Sequence, residues 1–133
     1  MNRRQVRDNA FKILFQESLR NGDISGIYEA CAFTGEISID EKVRELVAGT
    51  LLHSDEFDEI IGKYSPKRSV KRIAKLNLTI IKLALYEMFY DEGTPVNAAI
   101  SEAMILADRY TYDEDMAFIN GVLGAASRQT ADT

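Results

Sequence analysis

The chain contains few of the residues that hold proteins together through covalent bonds or metal ions. Its 133 residues include one cysteine, one histidine, two prolines and no tryptophan. A disulfide needs two cysteines, and a structural zinc site usually needs four cysteine or histidine ligands. We therefore predict no metal site and no cofactor. Cys31 is interpreted as a small buried apolar residue in a protein of a reducing compartment.

The sequence also lacks motifs of common catalytic sites. There is no glycine-rich phosphate-binding motif and no G-x-S-x-G motif. Two acids stand out, because Glu87 and Glu102 fall near apolar helix faces, where a carboxylate needs a hydrogen-bond donor. We expect a backbone N–H group or a hydroxyl, such as that of Tyr86 or Ser101, to donate. The protein is predicted not to be an enzyme.

Long apolar runs are absent as well. A membrane-spanning helix needs about 20 apolar residues, and the longest run here is about half that length. The apolar run that follows the N-terminal arginines covers only residues 11–15 and includes Lys12, so no signal peptide is predicted. The formal net charge is −5, so the chain as a whole does not suggest a nucleic-acid partner. We predict a cytoplasmic protein without membrane contact, in which any RNA-binding cations are gathered locally.

The apolar run at residues 79–87 predicts a helix at the centre of the fold. Its apolar residues recur with helical spacing and cover most sides of the helix. Asn77 is predicted to cap the start of this helix, and residues 91–93 are predicted to end it. The other helices must then pack around it.

The rest of the chain also predicts helices, so the fold class is all-α. In the first half of the chain, helices are predicted at residues 3–20, over about ten residues from Ile24, and at residues 41–52 after a cap at Asp40. A fourth helix is predicted to be capped by Ser54 and ended by Pro66, and a short helix follows at 69–74. Two more are predicted after the central helix, one that begins at Thr94-Pro95 and a last one from Asp113 to about residue 126. Gly121 inside the last helix predicts close backbone packing. We expect about seven helices in one domain of residues 1–133, with two three-helix-bundle-like subdomains, about 1–64 and 67–127, and a polar tail at 127–133.

Cations are concentrated in two places. Arg3 and Arg7 continue the apolar face of the first helix, near the positive end of its dipole, where a cation costs roughly 0.3–1 kcal/mol. An anionic partner would explain this placement, and a solvated tail is the alternative. The second group is a run at 63–75 with six basic and no acidic residues, which is also typical of a solvated face.

Aromatic residues near these cations suggest single-stranded RNA. Phosphates take the charge of arginine and lysine, and aromatic rings stack on unpaired bases. Phe15, Tyr64 and Phe118 are the candidates. Each of the three is also suited to the hydrophobic core.

Four segments together resemble the NusB family of transcription antitermination factors. RRQVRDNAFKILF at 3–15 resembles the family's N-terminal motif, and IIKLALYEM at 80–88 is similar to its central helix. PVNAAISEAMILA at 95–107 and FINGVL at 118–123 complete the pattern in the family's order and spacing. The resemblance implies an all-α fold of two helical subdomains. It also implies a factor that binds boxA RNA together with the ribosomal protein NusE and joins the elongating RNA polymerase to suppress termination in ribosomal RNA operons.

The resemblance further implies which residues make the contacts. The RNA-binding residues would be Arg3, Arg4, Arg7, Tyr64, Phe118 and Asn120. The NusE-binding side would lie near Asn77 and Lys82. The family often has an acid and an arginine at these last two positions, and lysine lacks the bidentate fork of arginine.

Two alternative functions can be compared with the sequence, and only the first of them is consistent with it. A protein–protein adaptor that has lost RNA binding would fit the acidic net charge. The same helical domain also stands at the front of RNA cytosine methyltransferases, but 133 residues are too few to include a catalytic domain, so we do not expect that activity. The family includes monomers and homodimers, and both states are left open.

Overall fold

The computed structural model describes residues 1–20 and 22–131, with side chains to residue 129. In this part of the chain the structure is all-α, as predicted, with seven α-helices, one 3-10 helix and no strand. The α-helices are α1 (Arg3–Arg20), α2 (Ile24–Thr34), α3 (Glu41–Leu52), α4 (Ser54–Tyr64), α5 (Lys75–Tyr90), α6 (Val96–Tyr110) and α7 (Asp113–Ala131), and the 3-10 helix is Val70–Arg72. None of the described helices is long and apolar enough to cross a membrane.

Helix α5 is the central element of the fold, as its apolar run predicted. It packs against α1, α3, α6 and α7, and ten of its sixteen residues are buried. Contact with α3 is close, because the ring of Tyr86 occupies the space that a Cβ atom on Gly49 would need. Glycine at this position therefore allows the two helices to approach each other.

One hydrophobic cluster connects the helices on both sides of the predicted boundary near residue 65. It includes Ile13 of α1, Phe57 of α4, Leu85 of α5 and Leu123 of α7. The cluster is continuous across this boundary and does not separate the helices into two groups. The division into two subdomains therefore stays a prediction.

Several predicted helix ends are confirmed and others are wrong. Asp40 caps α3, and its side chain accepts a hydrogen bond from the Val43 N–H group at 2.8 Å. Asn77 does not cap α5. Ile73 is buried just before the helix and the chain enters α5 at Lys75, so Asn77 lies inside the first turn and not before it. Asn77 is instead a buried residue inside the helix.

The predicted caps Ser54 and Thr94 are also wrong, since each hydroxyl is used elsewhere. Ser54 Oγ accepts a hydrogen bond from Lys82, and α4 makes no side-chain cap hydrogen bond. Thr94 Oγ1 donates to Asp91, and α6 begins two residues later at Val96.

Three further predictions need correction in the second half of the chain. The predicted helix at 69–74 is only the short 3-10 helix Val70–Arg72. The predicted polar tail is mostly helical, because α7 continues to Ala131; residues 132 and 133 of that tail lie outside the described residues. Gly121 does not mark close packing, since a Cβ atom there would have nothing within 4 Å.

Candidate nucleic-acid interface

The start of α1 lies where α5 ends and α6 passes, and arginines meet carboxylates there. Arg7 forms a bidentate ion pair with Glu87 of α5, with Nε–Oε1 at 2.7 Å and Nη2–Oε2 at 2.6 Å. Both residues are buried: Arg7 is 7% exposed and Glu87 is 2% exposed. A planar guanidinium that meets a carboxylate edge to edge is among the stronger geometries for a charged pair.

Glu102 of α6 joins this pair to Arg4. Arg4 donates to Glu102 through Nε at 3.1 Å and Nη2 at 3.0 Å. Arg7 Nη1 also lies 3.3 Å from Glu102 Oε2. Arg3 differs from both, because its Nη1 donates to the neutral carbonyl of Gly93, at 3.2 Å, and it forms no ion pair with a described carboxylate. Arg3, Arg4, Arg7, Glu87 and Glu102 are called the arginine junction below.

The charges of the arginine junction shift its pKa values in the directions expected for ion pairs. The hydrogen bonds from Arg4 and the charges of Arg7 and Arg4 lower the pKa of Glu102, although its partial burial acts in the opposite direction. The pKa of Arg7 is raised: burial alone would lower it, but the hydrogen bonds and charge of Glu87 and the charge of Glu102 outweigh burial. Both shifts favour the charged forms of Arg7 and Glu102.

An anionic partner, one of the two explanations for the N-terminal arginines, thus lies within the chain itself for Arg4 and Arg7. The predicted donors to Glu87 and Glu102, a backbone N–H or a hydroxyl, are wrong, because the donors are Arg7 and Arg4. The RNA contact predicted for Arg7 stays untested, but its buried side chain is already held by two carboxylates. The charge at the N-terminal end of α1 is therefore largely balanced inside the protein.

A second cluster of predicted site residues lies where α4 and α7 meet the basic run. The Arg68 guanidinium lies over the Phe118 ring at 4.8 Å, and Lys63 Nζ lies over the Tyr64 ring at 5.4 Å. The Tyr64 hydroxyl donates to Gln129 Oε1 at 2.6 Å. The separations of 4.8 and 5.4 Å between the cations and the ring centres are typical of cation–π contacts.

Phe118 and Tyr64 are half-buried, while Asn120 is exposed on α7 two residues beyond Phe118. We call Lys63, Tyr64, Arg68, Phe118 and Asn120 the basic surface. It combines exposed cations, aromatic rings and an amide, which is the chemistry that unstacked RNA bases and their phosphates need.

The two residues predicted to contact a protein partner lie on α5 but in different environments. Asn77 is 2% exposed, so its side chain does not reach the surface, and the contact predicted for it stays untested. The Lys82 side chain is 15% exposed and bridges to α4, with its Nζ 2.8 Å from Ser54 Oγ and 2.8 Å from Asp58 Oδ1. Lys82 lines a shallow apolar groove between α1, α3 and α5.

Sequence reasoning missed three contacts that shape these surfaces: Glu102 with Arg4, Arg68 with Phe118, and Gln129 with Tyr64. Only the contact of Glu102 with Arg4 could have been found from the sequence. Arginines on the apolar face of one helix and acids on the apolar faces of other helices carry opposite charges, so they could have been paired. Among the described residues, no group of histidine, cysteine or acidic side chains could hold a metal ion.

The sequence matches a known protein family over nearly its whole length. The model of the NusB family matches residues 4–128. Proteins named "Transcription antitermination protein NusB" are among its relatives. The one from Limosilactobacillus reuteri (strain DSM 20016) is 37% identical over 131 residues, which cover 97% of this chain and 95% of the relative. The one from Bacillus subtilis (strain 168) is 37% identical over 123 residues, with 92% of each chain covered.

Solved structures show the same fold. T. maritima NusB superposes with a TM-score of 0.83 at 29% identity, covering 96% of this chain and 92% of that one. The fold also matches a chain in the crystal structure of antitermination factors NusB and NusE in complex with dsRNA, with a TM-score of 0.82 at 22% identity and 96% of each chain covered.

Proposed function

Since the chain belongs to the NusB family, we propose that it is a transcription antitermination factor and not an enzyme. It binds boxA RNA together with ribosomal protein NusE in the cytoplasm, and it joins the elongating RNA polymerase to suppress termination in ribosomal RNA operons. The observation that carries this proposal is the match to the family over residues 4–128, together with relatives named as antitermination proteins that align over nearly their full length.

For the RNA contact we assign different roles to the three arginines. Arg3 donates only to a carbonyl, and the Arg4 side chain is 57% exposed, so these two contact phosphates. Arg7 is buried and paired with Glu87. Its role is to anchor the first turn of α1 so that Arg3 and Arg4 are held at the surface.

The bases are read at the basic surface. Unstacked bases can stack on aromatic rings and on guanidinium planes, and the Arg68–Phe118 pair combines the two groups. Asn120 is exposed beside them, and its amide both donates and accepts hydrogen bonds. Tyr64, held by Gln129, gives a second ring.

For NusE we propose docking along α5 and α4 near Lys82. The Lys82 ammonium already bridges to Ser54 and Asp58, so it presents a fixed and partly neutralised polar group. Asn77, the other residue implied for this contact, is buried in the first turn of the same helix.

The experiment is a titration of a boxA RNA oligomer, with and without NusE, against the wild type and Arg3→Ala/Arg4→Ala, at several salt concentrations. NusE should strengthen binding, and the double variant should lose affinity. Two phosphate contacts to single-stranded RNA predict that the log–log salt slope becomes shallower by about 1.4 in the double variant, since each contact contributes about 0.7. Equal binding and equal slopes in the two proteins would exclude Arg3 and Arg4 from the interface.

The second candidate is the protein–protein adaptor without RNA binding. The ion pairs of Arg4 and Arg7 with carboxylates favour it, because these arginines have partners without RNA. NusE binding with no RNA binding at any salt concentration would select the adaptor.

A further inference from the structure

The contact between Arg4 and Glu102 has the geometry of an arginine that holds a phosphate. The Nε and Nη2 donors form one edge of the guanidinium, and both point to the two oxygens of a single carboxylate, at 3.1 and 3.0 Å. Carboxylates and phosphates use this same bidentate edge. A phosphate cannot bind this edge of Arg4 while Glu102 occupies it.

Glu102 also has a second cation at hand. Its Oε2 lies 3.3 Å from Arg7 Nη1, while the Nε and Nη2 edge of Arg7 is filled by Glu87. If Glu102 lost Arg4, it would still face the positive charge of Arg7. Glu102 therefore still has a cation nearby when Arg4 binds another partner. A carboxylate without a cation would be unfavourable at this partly buried position.

Glu36 lines a neighbouring cleft with Arg4, but it is exposed and forms no ion pair with Arg4. The small cleft that contains Arg4 and Glu102 includes one other carboxylate. Asp8 lines the same small cleft, but its oxygens face Arg109 Nη1 at 3.0 Å, the Tyr110 hydroxyl at 2.9 Å and Lys12 Nζ at 3.1 Å. Glu102 is thus the carboxylate that sets whether the charge of Arg4 is available.

We propose that Glu102 occupies the phosphate-binding edge of Arg4 in the free protein, and that RNA binding exchanges this carboxylate for a phosphate. In the exchange Arg4 turns its fork to the RNA, and Glu102 remains with Arg7. Glu102 is therefore a residue that limits RNA affinity and suppresses binding of weakly matching anions, because every phosphate must first compete with it. This inference rests on the proposed function.

The test uses Glu102→Gln, which keeps the size of the side chain but removes the competing charge. Binding of a boxA RNA oligomer is measured in the presence of NusE for the wild type, Glu102→Gln, Arg4→Ala and the double variant. Glu29→Gln is the matched control, because it makes the same change in net charge at an exposed position of α2.

We expect Glu102→Gln to bind RNA about three- to tenfold more tightly, from one close charge interaction near the protein surface. When Arg4 is already replaced by alanine, Glu102→Gln should not change RNA affinity, since the guanidinium edge for which Glu102 and the phosphate compete is absent. The log–log salt slope should be the same in Glu102→Gln and the wild type, because Arg4 neutralises a phosphate and releases its counterion from the RNA whether or not Glu102 competes for it. Thermal unfolding confirms that each variant is folded.

Three results would overturn the exchange. Weaker RNA binding by folded Glu102→Gln would show that Glu102 instead positions Arg4 for the phosphate. An equal gain in Glu29→Gln would show a general effect of net charge. An equal gain in the presence and absence of Arg4 would show that Glu102 repels RNA without acting through Arg4. Absence of RNA binding in every protein, wild type included, would be a different failure, since it would overturn the proposed function itself.

Discussion

The arginine junction and the basic surface present positive charge in opposite ways. At the junction, Arg4 and Arg7 are held by Glu102 and Glu87. On the basic surface, Lys63 and Arg68 lie over aromatic rings. In the described part of the chain, none of the six cations of the run at 63–75 lies within 4.0 Å of a carboxylate oxygen.

This difference shows that a count of arginines does not measure the charge that a surface offers to RNA. The charges of Arg4, Arg7, Glu87 and Glu102 sum to zero, so these four residues contribute structure first and RNA affinity second, and Arg3 is the one cation of the junction without an ion pair in the described part of the chain. The basic surface keeps its charge for a ligand, since a ring face does not neutralise a cation.

The largest expected effect concerns the structural role of the junction. Glu87→Gln leaves the buried Arg7 charge without its main partner, and we expect it to lower the free energy of unfolding by about 3–5 kcal/mol. Urea unfolding measures this change. The double variant Arg7→Met/Glu87→Leu should recover most of the loss, because an apolar pair of similar volume needs no compensating charge. A loss below about 1 kcal/mol in Glu87→Gln would mean that the pair is not structurally important.

The next prediction concerns the open charge of the basic surface. Arg68→Ala should weaken RNA binding by about three- to tenfold, since it removes both a cation and its stack on Phe118. The control is Lys71→Ala. It removes a cation of the same run that contacts no aromatic ring among the described residues, so it should weaken RNA binding less. Equal effects of the two changes would show that only the number of charges matters at this surface.

A smaller effect is expected for stability at low pH. The pKa values of Glu102 and Asp91 are lowered in the folded protein from their ordinary values of 4.5 and 3.8. Hydrogen bonds from Arg4 lower the first, and Thr94 and Lys42 lower the second against the effect of burial. Because the unfolded chain takes up these protons at higher pH than the folded chain, both groups stabilise the fold above pH 4.5, and this stabilisation is lost as the pH falls through the folded pKa values.

Chemical unfolding between pH 6 and pH 3 measures this loss. Glu102→Gln should show a shallower pH dependence than the wild type, since one of the two groups no longer titrates. An unchanged pH dependence in this variant would contradict the ion pair between Glu102 and Arg4.

The smallest effect distinguishes two glycines. Gly121 lies beside the basic surface with open space where a Cβ atom would be, so Gly121→Ala should stabilise the protein by up to about 1 kcal/mol. Gly49→Ala should destabilise it, because the Tyr86 ring fills the corresponding space. Thermal unfolding compares the two. If Gly121→Ala keeps this stability gain but loses RNA affinity, RNA packs against that face of α7.

The helices were predictable because their apolar residues repeat with helical spacing. The bounds of α1 and α3, the central place of α5 and the burial of Cys31 all agree with the structure. Errors are concentrated at helix ends, where a hydroxyl or amide has several competing partners. Ser54 and Thr94 are residues of the type that caps helices, yet Lys82 and Asp91 provide their hydrogen bonds.

The sequence by itself determined the helical class, the central helix and the family, since each depends on patterns along one segment or on their order. Only the tertiary structure decided which charges meet. Glu87 and Glu102 are separated from Arg7 and Arg4 by 80 and 98 residues, and their pairing depends on how α5 and α6 pack around the start of α1. Ion pairing acts over a few ångströms in space, whatever the separation along the chain. For this reason the sequence left open whether an anion or only solvent meets the arginines, and the packing of three helices showed that carboxylates of the protein itself meet Arg4 and Arg7.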